Sequence, residues 1–152
     1  MMRRAIENLK ALQYHPYQSI EGHLADPSAQ LGAMMAGAVP VDYLSFLREF
    51  PSTGMFDIDG TVGIGAFGLD MLFASCSDKR YDLVEIASRP LYDGDMPRDF
   101  LLIGDNNFGN AFGLDLRTGT LGQVIYWDHD DGALHLVAPN FPEFLVNLRI
   151  MA

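Results

Sequence analysis

The densest group of side chains that could do chemistry is the run Asp128-His129-Asp130-Asp131-Gly132. Carboxylate oxygens and imidazole nitrogens bind divalent cations, so the run suggests a metal loop. An EF-hand calcium loop needs an acid at its fifth position and glycine at its sixth, whereas here the fifth position is already Gly132. His129 and His135 could flank one metal across a hairpin, but no third ligand has a fixed place. An Asp-Gly pair between apolar runs is typical of a β-hairpin turn, which explains these residues without a ligand.

A second motif, Gly63-Ile64-Gly65-Ala66-Phe67-Gly68, spells the G-x-G-x-x-G pattern of dinucleotide sites. Asp82 and Glu85 follow about 20 residues later, where a ribose-binding acid would lie. The preceding residues 56–61 contain two aspartates and a glycine, so they do not predict the apolar strand of a βαβ unit. We therefore interpret the glycines as bends in strands, and we expect no cofactor and no metal.

Nucleophilic catalysis is not indicated either, because no serine lies in G-x-S-x-G and the single cysteine, Cys76, lacks a catalytic signature. One thiol cannot form an intramolecular disulfide, which is typical of a reducing compartment. Residues 1–4 are basic, but Glu7 and Lys10 interrupt the apolar core that a signal peptide needs. We expect a cytoplasmic protein with no membrane segment. Two alternatives to an inhibitory binding protein stay open: a small metal- or nucleotide-dependent enzyme that uses Asp128, His129 and Asp130 or the turn at residues 63–68, and a regulatory interaction scaffold.

The charge balance fits two interpretations, an acidic surface that keeps the protein soluble or one that attracts a basic protein partner. The 152 residues include 10 Lys and Arg against 20 Asp and Glu, which gives a formal net charge of -10 and a pI near 4.5. An acidic surface repels nucleic acids and anionic membranes and attracts basic proteins over long distances. The excess is concentrated between Asp93 and Asp131, where eight aspartates face two arginines.

We predict that the loops of this acidic stretch bind the partner, through Asp105, Asn106, Asn107, Asn110, Asp128, His129, Asp130 and Asp131. An exposed Trp127 or Tyr126 would supply an aromatic anchor beside these charges. The other interpretation is that Trp127 belongs to the core of a strand. A homodimer is left open.

The order of helical and strand patterns predicts an α+β fold, with an antiparallel mixed sheet and helices packed mainly on one face. Apolar spacing and capping residues predict helices over 2–13, 39–50, 77–89 and 140–148. Alternating apolar runs predict strands over 99–103, 111–116, 121–128 and 133–137, and one or two glycine-interrupted strands over 55–73. We expect a single domain over 1–152, in which 1–38 is an N-terminal helix plus an irregular segment and 39–152 is the core.

Five segments, in this order and spacing, resemble the SUKH superfamily. They are residues 39–47 (VPVDYLSFL), 102–105 (LIGD), 109–115 (GNAFGLD), 122–129 (GQVIYWDH) and 141–145 (FPEFL). The resemblance runs from about residue 39 to 149. One departure is the end of the second helix, where Phe50-Pro51-Ser52-Thr53-Gly54 replaces the Asn-Gly-Gly-like turn usual in the family.

The resemblance implies an α+β fold and a non-enzymatic binding protein. Bacterial members of the superfamily are mostly immunity proteins that neutralise polymorphic toxins, many of them nucleases, and other members are regulatory scaffolds. Nuclease toxins are commonly basic, so an acidic inhibitor can mimic the phosphate field that they bind. The resemblance therefore implies a basic toxin domain as the partner.

Overall fold

The computed structural model describes residues 2–17, 26–35, 38–89, 99–106 and 108–151. Its helices are α1 (Met2–Ala11), α2 (Ser28–Met34), α3 (Val41–Glu49), α4 (Leu83–Ser88) and α5 (Phe141–Val146). Its strands are β1 (Tyr14–Pro16), β2 (Gly54–Phe56), β3 (Val62–Ile64), β4 (Phe67–Leu69), β5 (Met71–Leu72), β6 (Phe100–Asp105), β7 (Ala111–Asp115), β8 (Val124–Trp127), β9 (Leu134–Ala138) and β10 (Arg149–Ile150). Within these ranges, no helix combines the length and the apolar character needed to cross a bilayer.

Two antiparallel sheets form the β part of the fold. The larger has seven strands in the order β1-β2-β5-β6-β7-β8-β9, and the smaller has three in the order β10-β3-β4. Strands β6 to β9 are consecutive neighbours and form the predicted meander. The small sheet packs on the large one through Phe67, whose ring centroid lies 4.4 Å from that of Tyr126. The chain therefore has the predicted α+β fold.

The main core lies between the large sheet and the helices. Strand β7 sends Phe112 and Leu114 to this side, both fully buried, and Phe112 packs on Phe144 of α5 with ring centroids 5.3 Å apart. Phe141 of α5 in turn packs edge-on against Tyr43 of α3, at 4.9 Å. A smaller cluster of Phe100, Ala111, Ile125 and Trp127 forms on the opposite side of the sheet. The helices thus bury one face of the meander, and the other face has its own small apolar cluster.

Capping residues set two of the helix starts. The side-chain oxygen Oδ1 of Asn140 accepts a hydrogen bond from the Glu143 N–H at 2.9 Å, which is the N-cap that the sequence predicts for α5. Asp82 caps α4, since its carboxylate accepts from the Glu85 N–H at 3.1 Å and from the Cys76 N–H at 2.8 Å. The predicted helix over 77–89 is in fact two pieces, a 3₁₀ turn at Lys79–Tyr81 and then α4, because Asp82 is extended between them.

The structure adds elements where the sequence pattern is weakest. The segment predicted to be irregular contains β1 and α2, while its residues 18–25 and 36–37 lie outside the described residues. The region 55–73 forms four short strands from β2 to β5 rather than one or two. Pairing to distant strands creates these elements, since β1 pairs with β2 and β10 pairs with β3. Such long-range pairing leaves little local periodicity in the sequence.

Candidate interaction surface

The loop between β6 and β7 is built around Asn106. This side chain is buried, and its Oδ1 accepts hydrogen bonds from the N–H groups of Phe108 at 3.1 Å and Asn110 at 3.2 Å. Its amide nitrogen donates to the hydroxyl oxygen of Tyr126 at 3.1 Å. One side chain therefore ties both ends of the loop to strand β8.

The turn between β8 and β9 is held by its own aspartates. Asp128 Oδ1 accepts from the Asp130 N–H at 2.9 Å, and Asp131 Oδ1 accepts from the Ala133 N–H at 2.8 Å. Gly132 has φ +72°, a left-handed conformation that glycine adopts without strain. The Asp-Gly turn is thus the hairpin that the sequence predicts.

The two loops meet through Asn110 and His129. The main-chain N–H of His129 donates to Asn110 Oδ1 at 3.0 Å, and the ring Nδ1–H donates to the same oxygen at 2.7 Å. Gly109, with φ +89°, lies so close that a Cβ there would come within 3.2 Å of the His129 ring. We call the surface formed by Phe108, Asn110, Asp128, His129, Asp130 and Asp131 the acidic rim.

The eight residues predicted to bind a partner divide into exposed and inner positions. His129, Asp130 and Asp131 are exposed, and Asn110 and Asp128 are half-buried within the acidic rim. Asn106 is buried and Asp105 half-buried behind them. Asn107 lies outside the described residues.

The exposed aromatic side chain of the acidic rim is neither of the two that the sequence suggested. Trp127 and Tyr126 are only 9% and 6% exposed, because Trp127 lies in the small apolar cluster and Tyr126 packs between Phe67 and Phe112. The expectation of an exposed Trp127 or Tyr126 is therefore wrong, and the core interpretation of Trp127 is correct. Phe108, at 79% exposure, is the aromatic side chain that the acidic rim presents to solvent. Its place among turn-forming residues, Asn-Asn-Phe-Gly-Asn, is the sequence signal that could have identified it.

Asp105, at the end of β6, has a half-buried carboxylate with one unpartnered oxygen. Burial, reinforced by the nearby Asp70 carboxylate, raises the pKa of Asp105 to about 6. Among the residues that the structure describes, no donor reaches the buried Oδ1 atom of Asp105. The ionised Asp105 carboxylate therefore lowers the free energy of unfolding.

Asp105→Asn should raise the free energy of unfolding by about 1 kcal/mol at pH 7. A shift of about two pKa units corresponds to about 3 kcal/mol at most, and partial access to water reduces that figure. The folded-state pKa lies above the unfolded value, so the native protein loses stability as pH rises from about 4 to about 6. Urea denaturation at pH 4 and pH 7 measures the effect, which should vanish at pH 4. Asp59→Asn, at an exposed carboxylate, is the control. If Asp105→Asn raised the free energy of unfolding equally at pH 4 and pH 7, ionisation of Asp105 would not be the cause.

Asn106→Ala should lower the free energy of unfolding by about 2 kcal/mol, because it removes three hydrogen bonds from a buried side chain. Tyr126→Phe removes only one of them and should cost about 1 kcal/mol. Thermal and urea denaturation of both variants gives the comparison. A smaller loss for Asn106→Ala than for Tyr126→Phe would show that Asn106 does not organise the loop.

A group of possible metal ligands lies within the acidic rim. One ligand atom from each of Asp128, His129 and Asp130 lies within 4.8 Å of the others. The Nδ1 atom of His129 is engaged by Asn110, and its Nε2 atom lies 3.2 Å from Asp130 Oδ1, an ion pair when the ring is protonated. A cation here would compete with these contacts, and two of its three ligands, His129 and Asp130, are exposed to solvent.

The G-x-G-x-x-G residues form the hairpin of β3 and β4. Gly63 pairs with Gly68 across it, and Gly65 occupies the turn with φ +58°. A Cβ on Gly63 would collide with the Phe67 carbonyl oxygen and come within 2.5 Å of the Met151 sulfur. The glycines therefore permit close backbone packing, and a strand follows the turn in place of the helix that a dinucleotide site requires.

Comparison with known proteins identifies the family to which this fold belongs. Residues 29–147 match the model of the SMI1 / KNR4 family (SUKH-1), and the chain belongs to that family. Membership indicates an immunity- or regulator-type protein that acts through protein–protein interaction. No curated protein matches the chain.

Proposed function

We propose that this chain is an immunity protein that binds a basic toxin domain, of the nuclease class, through the acidic rim and so neutralises it. The observation that carries the proposal is the contact of Asn110 with His129, which joins the β6–β7 loop to the acidic β8–β9 turn. It brings the loop that carries the exposed Phe108 next to a turn with three carboxylates. Aromatic anchors supply affinity at interfaces, while charges supply rate and selectivity.

The electrostatics favour a basic partner over an acidic one. A net charge of -10 steers positively charged proteins toward this chain from a distance and repels nucleic acids. Asp128, Asp130 and Asp131 concentrate negative charge in the β8–β9 turn. A nuclease active site attracts phosphates, and the carboxylates of this turn carry the same sign of charge. Inhibition by binding needs no catalytic group in this chain. We place the protein in the cytoplasm, where a nuclease toxin would meet nucleic acid.

Co-expression in a bacterial host tests the proposal. The proposal expects the toxin to be the C-terminal domain of a long polypeptide encoded immediately upstream of this chain's gene, and that domain is produced from an inducible promoter. We expect induction to stop growth, and co-expression of this chain to restore it together with a stable one-to-one complex on gel filtration. A toxin that stays active in the presence of the purified, folded chain, with no complex, would refute the immunity role.

The alternative enzyme is favoured only by the closeness of Asp128, His129 and Asp130. Metal analysis and thermal shift with Mn²⁺, Zn²⁺, ATP and NAD distinguish it. A ligand at a hundred times its dissociation constant adds about 2.7 kcal/mol of stability. The binding role predicts no such shift, and a shift abolished by His129→Ala would favour the enzyme.

A further inference from the structure

Strand β9 forms an open edge of the seven-stranded sheet. Leu134 pairs with Trp127 and Leu136 with Ile125, so the leucines share the face of the small apolar cluster. The Asp128 N–H donates to the Ala133 carbonyl at 3.0 Å, which makes that pair hydrogen-bonded. Because such pairs alternate along an antiparallel ladder, the N–H and C=O groups of Leu134 and Leu136 point away from β8.

Between Leu134 and Leu136 this edge is regularly paired with β8 and lacks the charged or proline residues that usually block strand addition, and the register shift of the pairing lies beyond Leu136. Leu134 is 41% and Leu136 60% exposed, and β9 contains neither lysine nor proline. The opposite edge strand, β1, has only three residues and includes Pro16, which has no N–H to offer. Among the described residues, no strand pairs with the outer side of β9. An apolar, unprotected edge of this kind is a template for another strand.

The charges beside β9 indicate which kind of incoming strand could pair with it. The turn before β9 belongs to the acidic rim, and it places Asp130 and Asp131 at the strand's N-terminal end. An antiparallel incoming strand ends at this point, so a lysine or arginine at its C-terminal end would meet the two carboxylates. A second copy of this chain would present Pro139 and Asn140 there, which carry no positive charge, and would add its own net charge of -10.

We propose that β9 accepts an extended strand of the basic partner in antiparallel pairing. The incoming strand places apolar side chains at alternate positions over Leu134 and Leu136, and a lysine or arginine against Asp130 and Asp131. Main-chain hydrogen bonds and the leucines supply affinity, and the acidic turn sets the direction of the strand. This inference rests on the proposed function and adds β9, which follows the acidic turn, as a second element that recognises the same partner.

Amide hydrogen exchange measured by NMR tests the edge directly. The probe is a synthetic peptide of alternating threonine and valine that ends in two lysines at its C-terminal end. At four times its dissociation constant it should slow exchange of the Leu134 and Leu136 amides about fivefold. The peptide of reversed sequence, with lysines at the N-terminal end, should protect these amides less at the same concentration.

Leu136→Pro should abolish the protection of Leu134, because it removes an outward N–H without breaking a bond to β8. Leu136→Lys tests the same site with the backbone intact and should weaken binding of the lysine peptide. Val41→Lys, at an exposed apolar residue of α3, is the matched control and should bind the peptide as the parent chain does.

Three outcomes separate this inference from the immunity role. Unchanged β9 amides in a chain that still neutralises the toxin would overturn the edge proposal alone. Protection that rises with protein concentration without peptide would overturn it in favour of a second copy. Peptide-dependent protection in a chain that fails to neutralise the toxin would support the edge and refute the immunity role.

Discussion

Replacement of Asp128, Asp130 and Asp131 together by asparagine should slow association with the basic toxin domain by about tenfold or more at low salt. The substitutions remove three negative charges from the acidic rim. Asparagine retains an oxygen that can accept the bonds now made by Asp128 and Asp131, so the turn should persist. Stopped-flow fluorescence at low and at physiological ionic strength gives the two association rates, and the difference between parent and variant should shrink with salt.

A matched variant separates local from net charge. Asp42→Asn, Asp57→Asn and Asp59→Asn likewise remove three negative charges, here from exposed side chains of α3 and of the segment after β2. This control should slow association far less than the rim variant, although both have the same net charge. Equal rates for the two variants would assign the effect to net charge and reject the acidic rim as the contact surface.

Asp115→Ala should lower the free energy of unfolding by about 3 kcal/mol at pH 7. Asp115 ends β7 and is fully buried. Its Oδ1 accepts from the Arg117 main-chain N–H at 2.8 Å, and its Oδ2 accepts from Arg117 Nη2 at 3.0 Å and Thr120 Oγ1 at 2.5 Å. Alanine removes these charge-assisted bonds and leaves the loop before β8 without its anchor.

The effect of Asp115→Ala should depend on pH. Burial works against the charged carboxylate, but hydrogen bonds from Arg117 and Thr120 outweigh it and hold the pKa of Asp115 below its usual value. The stabilisation is therefore present above the unfolded-state pKa and is lost as pH falls through the folded-state pKa. Thr120→Ala removes one bond and should cost about 1 kcal/mol. Urea denaturation at pH 7 and pH 3 measures both variants, and a loss of less than 1 kcal/mol for Asp115→Ala at pH 7 would show that the carboxylate is not the anchor.

The sequence predicts the turns and helix starts that are formed by hydrogen bonds between residues close together in the chain. The Asp131-Gly132 pair predicts the β8–β9 turn because its left-handed glycine and side-chain bonds are made within the turn. Asn140 predicts the start of α5 for the same reason, since the capped N–H belongs to Glu143. In contrast, β1 and β10 exist because of partners far along the chain, and their sequences carry no period of their own.

In the candidate site, too, the sequence predicts the local features but not those that depend on pairing between strands. Charge and turn chemistry point to the two loops, but the contact between Asn110 and His129, 19 residues apart, is a consequence of strand register. Pairing of Ala111 with Trp127 places the two loops at one end of the sheet. The same register turns Trp127 into the small apolar cluster, so the choice between buried Trp127 and exposed Phe108 depends on tertiary packing.

Hydrogen–deuterium exchange of this chain with and without the toxin domain shows whether the acidic rim is the surface that binds the toxin. We expect slower exchange in residues 108–110 and 128–133 on binding, and unchanged exchange in α1 and α3. Protection confined to the helices, with both loops exchanging as in the free chain, would contradict the acidic rim as the surface that binds the toxin.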